Sequence, residues 1–129
     1  MDVRDAVEAD AERIATLADA PVDAMRALVH DRTVRVLEAD DKLAGFVSFD
    51  AQPSEVRVTQ LGGTQAACER LLAEPIRFAE REGMAVRLTV PESEETTRTA
   101  AERVGFDETG EGPLFDGERT VIYRLDSEE

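Results

Sequence analysis

The longest helical run of the chain lies between two strand patterns, and this limits the folds available. Gly62-Gly63-Thr64 is expected to break the strand before it and to open a helix predicted over roughly Thr64 to Glu82, and Gly83 is placed to cap its C-terminus. Before it, Glu55 to Gln60 alternates, with Val56 and Val58 against Glu55, Arg57 and Thr59. After it, Met84 to Val90 reads as an apolar strand stopped by Pro91. A helix with one apolar stripe must bury it on something, and flanking strands supply a sheet. Pro75 falls inside the run, where its missing N–H and its ring predict a kink or a division.

The rest of the chain extends this pattern. A short strand at Val3-Arg4 leads into a helix around Ala9 to Ala18, with Ile14, Leu17 and Ala18 at helical spacing. Pro21 sits where a second helix begins, and Val22, Met25, Leu28 and Val29 give that helix an apolar stripe. Thr33 to Leu37 and Lys42 to Phe49 read as a hairpin turning at Asp40-Asp41. Ser93 can cap a fourth helix running to Val104, with Gly105 ending it. Phe106 to Thr109 and Thr120 to Leu125 are the last two strands, separated by the loop from Gly110 to Gly117. The order β-α-α-β-β-β-α-β-α-β-β predicts one α/β (α+β) domain over 1–126, a mixed, largely antiparallel sheet of six to seven strands with about four helices. Residues 127–129, together with Asp126, read as a loose acidic tail.

Charge narrows the range of partners. The chain carries 29 acidic and 15 basic residues, a formal net charge of -14, with Lys42 its only lysine. Such a surface stays soluble in concentrated salt, where self-repulsion is screened, so the composition reads as halophilic. It argues against nucleic acid as a partner, because binding phosphates needs a basic face. No apolar run approaches the roughly 20 residues of a membrane span, and the acidic N-terminus lacks the signature of a signal peptide. Cys68 is the only cysteine and rules out an internal disulfide, so a cytoplasmic location is the expectation. No cluster of His, Cys or Asp has metal-ligand spacing.

In this order, several stretches together resemble the GNAT N-acetyltransferase superfamily over nearly the whole chain. Val3-Arg4-Asp5-Ala6 with Ile14-Ala15-Thr16-Leu17 is similar to that family's first strand and helix. Glu55-Val56-Arg57-Val58, a Gly-containing loop and Leu71-Leu72 resemble its fourth strand and cofactor helix. Glu102-Arg103-Val104-Gly105-Phe106 and the closing Tyr123-Arg124-Leu125 resemble its last helix end and final strand. The resemblance implies direct transfer of an acetyl or other acyl group from acetyl-CoA to a primary amine of a small molecule or a protein. It further implies that the acyl-CoA lies between the strands at 55–60 and 84–90, with its diphosphate on amides at the head of the following helix. Val58, Gln60, Gly63, Thr64, Gln65, Ala66, Ala67 and Cys68 are the cofactor-binding positions it implies, and Glu55 and Tyr123 the catalytic ones. Domains of this kind often dimerise, so a homodimer is a further expectation.

Three departures from the family pattern stand out. Registered on Leu71-Leu72, Gly63 replaces the leading Arg or Gln of the diphosphate loop, and Ala66 and Cys68 occupy its later small positions. Cys68 at that place is expected to crowd an approaching phosphate. Counting back from Gly105-Phe106, Ala101 stands where the family has a frequent proton-donating tyrosine, and Glu94 where it often has asparagine.

Each candidate side chain also has a structural reading. Glu55 fits a general base or a solvated strand carboxylate. Tyr123 fits a proton donor or a packed aromatic with its hydroxyl satisfied. His30 sits at a helix C-terminus that favours it through the helix dipole. Cys68 fits a small buried hydrophobe, and Arg57, Arg70 and Arg98 fit either phosphate contacts or surface charge balance. Two functions therefore stand side by side: an acyl-CoA-dependent N-acyltransferase, and a catalytically impaired binding or regulatory module of the same fold. A third, an unrelated small α+β domain, requires the two central strands to pair along their full length.

The Debye length shrinks from about 10 Å to about 3 Å between 0.1 and 1 M salt, so the mutual repulsion of the carboxylates fades. The melting temperature is expected to rise from dilute buffer to molar KCl, measured by circular dichroism, and a fall would contradict the reading.

Overall fold

The computed structural model describes residues 2–115 and 117–126. Its strands are β1 (Asp2–Asp5), β2 (Thr33–Ala39), β3 (Lys42–Ala51), β4 (Glu55–Gly63), β5 (Ala85–Pro91), β6 (Asp107–Glu111) and β7 (Thr120–Leu125). They form one seven-stranded sheet in the order β1-β2-β3-β4-β5-β7-β6. Every neighbouring pair is antiparallel except β4 and β5, which run parallel. That exception follows from connectivity, since an 18-residue helix joins the two strands and returns the chain to the same end of the sheet.

The helices are α1 (Ala11–Ala18), preceded by a 3-10 turn at Glu8–Asp10, α2 (Val22–Asp31), α3 (Gln65–Glu82) and α4 (Glu95–Arg103). They divide between the two faces of the sheet. Ile14 and Met25 of α1 and α2 pack with Val34, Val36 and Phe46. Leu71, Leu72 and Ala79 of α3, with Ala101 of α4, pack with Leu37, Val47, Phe49 and Val58. Val36 and Leu37, like Phe46 and Val47, are chain neighbours sent to opposite cores by the period-2 alternation of a strand.

Local chemistry sets the element ends. Asp40 and Asp41 both take positive φ, 51° and 65°, and connect the paired ends Ala39 and Lys42 as a two-residue hairpin turn. Thr64 caps α3 by accepting the Ala67 N–H at 3.1 Å, and Gly83 ends it at φ 69°.

Three expectations are corrected. Pro75 does not divide α3, which is assigned as one helix through it; Pro75 is buried and the run is held to the sheet by Leu71, Leu72 and Ala79. Gly62-Gly63 does not break β4, which continues to Gly63 because it stays paired with Phe46 and Gly45 of β3. Ser93 is not the cap of α4: Glu94 precedes the helix, and the Ser93 N–H instead donates to the Glu118 carboxylate at 2.9 Å. The acidic tail at 127–129 lies outside the described residues.

A buried carboxylate anchors the N-terminal segment. Asp10 accepts two hydrogen bonds from Arg4, at 2.8 and 3.0 Å, one from Arg13 at 2.6 Å and one from the Val7 N–H at 2.8 Å. Arg4 is the largest cause holding the Asp10 carboxyl below its ordinary 3.8, at about 2, against the opposing effect of burial. A depressed folded-state pKa stabilises the fold above the unfolded value and is lost as pH falls through the folded one. Stability is therefore expected to decline between about pH 4 and pH 2, with a smaller decline in Asp10→Asn. Asp10→Ala is expected to cost about 2 kcal/mol by chemical denaturation at neutral pH, because it removes a buried carboxylate that accepts four hydrogen bonds, while the half-exposed Arg4 and Arg13 keep Glu38.

Candidate active site

The parallel pair at the centre of the sheet opens into a fork. β4 and β5 are in register from Glu55 with Ala85 to Val58 with Leu88, and no further. Both strands continue, β4 to Gly63 against β3 and β5 to Pro91 against β7. Beyond Val58 the edge of β4 that faces β5 has no strand partner among the described residues. A bulge coincides with the divergence: Ser48 pairs with Gln60 and Phe49 with Val58, leaving Thr59 as the extra residue on β4. Its hydroxyl lies 2.8 Å from the Ser48 hydroxyl, which is buried. A bulge strengthens local twist, and here it turns the upper half of β4 away from β5.

The head of α3 closes the fork on one side. Gly63 has φ 124°, and a Cβ there would lie 2.3 Å from the Ala44 carbonyl oxygen, so only glycine fits against β3. This close approach lets the Thr64 N–H donate to Ala44 O at 3.1 Å. The Ala67 N–H is taken by the Thr64 hydroxyl and the Cys68 N–H by the Thr64 carbonyl. The Gln65 and Ala66 N–H groups have no partner among the described residues, and the first turn of α3 carries no acidic side chain. The head of α3 therefore keeps two donors and its positive dipole end available to an anion.

Between the diverging strands lies a cleft of about 1130 Å³. Thr59 to Gly63 and Leu88 to Pro91 form its fork, and Leu17, Pro21 and Met25 at the α1–α2 junction form one wall. Glu94, Glu95 and Thr97 at the start of α4 form another, and Leu114 and Phe115 of the β6–β7 connection overhang it, 70% and 62% exposed. The charged side chains lining it are Asp19, Glu94 and Glu95, with no Arg, Lys or His among the described residues. Burial, then the charge of Glu118, raises the Glu94 carboxyl above the ordinary carboxylate range.

The cofactor positions expected from the sequence fall around this fork. Gln60 and Gly63 line the cleft, Thr64, Gln65, Ala66 and Ala67 follow at the head of α3, and Val58 is buried at the last paired position. Cys68 corrects an expectation. It is buried with its Sγ 3.9 Å from Gly63 O, beneath the loop, and so does not crowd the approach to the amides. Burial, then the charges of Glu94 and Glu69, pushes its thiol up to about 11.

The two catalytic candidates lie elsewhere. Glu55 stands at the opposite end of β4, its side chain 14% exposed, within 3.4 to 3.9 Å of Arg57, Arg87 and Arg124. Those arginines face one another in register across β4, β5 and β7, which explains why a carboxylate sits among them. Tyr123 is fully buried; its hydroxyl accepts from Arg98 Nε at 3.1 Å and donates to Glu102 at 2.9 Å. Neither side chain lines the cleft. His30 is exposed in the last turn of α2, whereas the cleft is lined by the start of that helix. Arg98 is turned to Tyr123, Arg57 stands with Glu55, and Ala101 is buried, while Arg70 is exposed on α3.

Sequence reasoning missed Thr59, Asp19 and the apolar overhang of Leu114 and Phe115. The residue Thr59 alternates normally, and its bulge follows from pairing with β3, a non-local event. Leu114-Phe115 is an apolar pair inside a polar loop, a signal that was present in the sequence.

No protein-family model matches the chain, and no curated protein matches it in sequence. Solved structures do match it in three dimensions. An acetyltransferase of the GNAT family from Bacillus cereus covers 99% of this chain and 98% of its own, with 14% identity and a TM-score of 0.77. The ribosomal-protein-S18-alanine N-acetyltransferase of Escherichia coli covers 99% and 95%, with 18% identity and a TM-score of 0.78. YncA of Salmonella typhimurium, solved with its cofactor acetyl-CoA, covers 100% and 95%, with 18% identity and a TM-score of 0.78. The fold of this chain is thus the GNAT acetyltransferase fold.

The placement of Cys68 is open to direct measurement. A buried thiol with a raised pKa is a poor nucleophile. Ellman's reagent at about pH 8 is expected to leave the native protein unlabelled and to titrate one thiol in denaturant; rapid native labelling would move Cys68 to the surface.

Proposed function

We propose that this protein is an acyl-CoA-dependent N-acyltransferase, with acetyl-CoA as acyl donor and a primary amine as acceptor. The observation that carries the reading is the parting of β4 and β5 after Val58 and Leu88 while both strands run on. Parallel strands rarely forgo hydrogen bonds in a sheet interior, and an extended ligand with amide groups can use the edge they leave. The shared fold, and the bound acetyl-CoA in the Salmonella structure, support the same reading.

On this proposal the chain's own groups divide the work. The unpartnered edge of β4 from Thr59 to Gly63 holds the extended arm of the donor by its main chain. The free amides of Gln65 and Ala66, with the dipole of α3, hold the diphosphate. Bound acetyl-CoA would supply an activated thioester carbonyl: the amine nitrogen bonds to it, the C–S bond breaks, and CoA leaves as a thiolate that takes a proton from water. Main-chain N–H groups at the fork stabilise negative charge on the carbonyl oxygen. The attacking amine loses its proton to water in the open cleft, which Asp19, Glu94 and Glu95 make favourable to cations. This assignment leaves Glu55 and Tyr123 to structure: Glu55 stands at the far end of β4 among three arginines, and Tyr123, although registered with Leu88 at the fork, is fully buried with its hydroxyl engaged.

A second reading keeps the fold and the ligand but not the turnover. It is favoured by Ala101, buried where a proton donor would stand, and by a cleft whose described lining carries no cationic side chain. The two readings separate on acyl transfer.

The test uses a variant that deletes one ligand donor and spares the helix. Gln65 is the first residue of α3, where proline is well tolerated, and Thr64 at φ -68° and ψ 161° suits a following proline. Gln65→Pro is expected to weaken acetyl-CoA binding about tenfold, the loss of one hydrogen bond to a charged group, with little change in melting temperature. Release of free CoA thiol in about molar KCl is expected only when an amine is supplied. Binding without amine-dependent release would favour the second reading, and no binding of acetyl-CoA at all would overturn both.

A further inference from the structure

We propose that the cleft's own carboxylates make binding of the acyl-CoA depend on dissolved cations, so that added salt tightens the complex instead of loosening it. The inference rests on the acyl-CoA reading above and concerns how that same site is regulated.

An ordinary phosphate site surrounds its ligand with Lys and Arg and weakens as salt screens the attraction. The charged lining here is Asp19, Glu94 and Glu95, and no described lining residue is basic. Two arginines of α4 are already engaged. Arg98, one turn into α4, spends its guanidinium on the Tyr123 hydroxyl, the Glu92 carbonyl and Glu108. Arg103 lies 3.8 Å from Glu69, an acid of the second turn of α3. Glu118, beside Glu94, is a further negative group and is held to the Ser93 N–H.

The two helix heads at the cleft differ in a way that locates the effect. The start of α3 has no acid in its first turn and offers the amides of Gln65 and Ala66. The start of α4 carries Glu94 at its cap and Glu95 in its first turn, so its positive dipole end is already neutralised by the chain itself. The charge of Glu94 also reaches Cys68, in the first turn of α3, and therefore acts on the region where a diphosphate would sit. One helix dipole is worth about half a charge at its end, and three carboxylates line the cleft that runs up to Gly63, two residues before Gln65. Repulsion therefore outweighs the dipole until counterions screen it. The net charge of -14 adds a long-range repulsion of the same sign.

The effect is sharpest at Glu94, because it lines the cleft at the cap of α4 with no cationic partner among the described residues, whereas Glu69 of α3 lies outside the cleft beside Arg103. Neutralising it removes a charge from the ligand's path without removing a donor that holds the ligand.

Calorimetric titration with CoA in about 0.2 M and about 2 M KCl tests this, with circular dichroism confirming a folded protein at each salt concentration. The CoA dissociation constant is expected to fall about threefold or more across that range, since the Debye length contracts below the size of the cleft. Pantetheine, which lacks the phosphates, is expected to bind with no such rise. Glu94→Gln is expected to tighten CoA binding at low salt and flatten the salt response; Glu94→Asn, a good helix cap, repeats the test should the glutamine variant fold poorly. CoA binding that weakens with salt in the wild type, an equal rise for pantetheine, or an unchanged salt response in both folded variants would overturn the inference while leaving the acyl-CoA reading intact. Absence of CoA binding at every salt concentration would instead sink that reading, and this inference with it.

Discussion

The hydrogen-bond ladder between β4 and β5 ends at Val58 and Leu88, and the arrangement of the candidate site depends on that ending. The ladder below it ties two halves of the sheet that otherwise differ in plan, three hairpin-linked strands on one side and a crossover set on the other. Above it, each strand is held by its outer neighbour alone, and the bulge at Thr59 supplies the bend. Glycines of β3 and β4 bring the end of β4 close to β3. Gly63 lies so close to Ala44 that a side chain cannot enter, and this fixes where β4 stops and where the amides of α3 begin.

Charge is handled by a different rule at the base of the sheet than at the cleft. Asp10 and Glu55 are acids placed among arginines, and each serves to hold cationic side chains that the sheet brings together. The arginines of a chain with twice as many acids as bases are largely spent in this way. Among the described residues, the charged side chains facing the cleft are acidic, and the head of α3 beside it offers main-chain amides and a helix dipole. On the proposed reading backbone groups hold the ligand, so Ala66 is no obstacle to it and a nearby carboxylate opposes it.

Much of the architecture was legible from residues alone. The two helical stripes before Thr33, the Asp40-Asp41 hairpin, the capped helix from Thr64 to Gly83 and the closing strand at Thr120 all follow local rules, and the structure holds them within a few residues. The errors came where a local rule met a tertiary one. The ring of Pro75 should interrupt a helix in isolation, yet burial against the sheet carries α3 through it. Gly62-Gly63 should end a strand, yet pairing with β3 extends it.

For the site, the sequence determined the identity of the small residues at the head of α3, the absence of a tyrosine at Ala101 and the acidic character of the surroundings. It also determined that Glu55 and Tyr123 would lie on strands, since alternation is a property of neighbours in the chain. Only the tertiary structure decided that Glu55 belongs to an arginine row far from the fork, and that Tyr123, registered with Leu88, is buried in a bond with Arg98 and Glu102 and does not enter the cleft. It also decided that Cys68 turns inward and that Asp19, Glu94 and Glu95 share one cleft. The reason is physical. Periodicity reports which face of an element a side chain occupies, whereas the position along that face relative to other elements depends on strand register and on a bulge, and these are set by contacts between residues far apart in the chain.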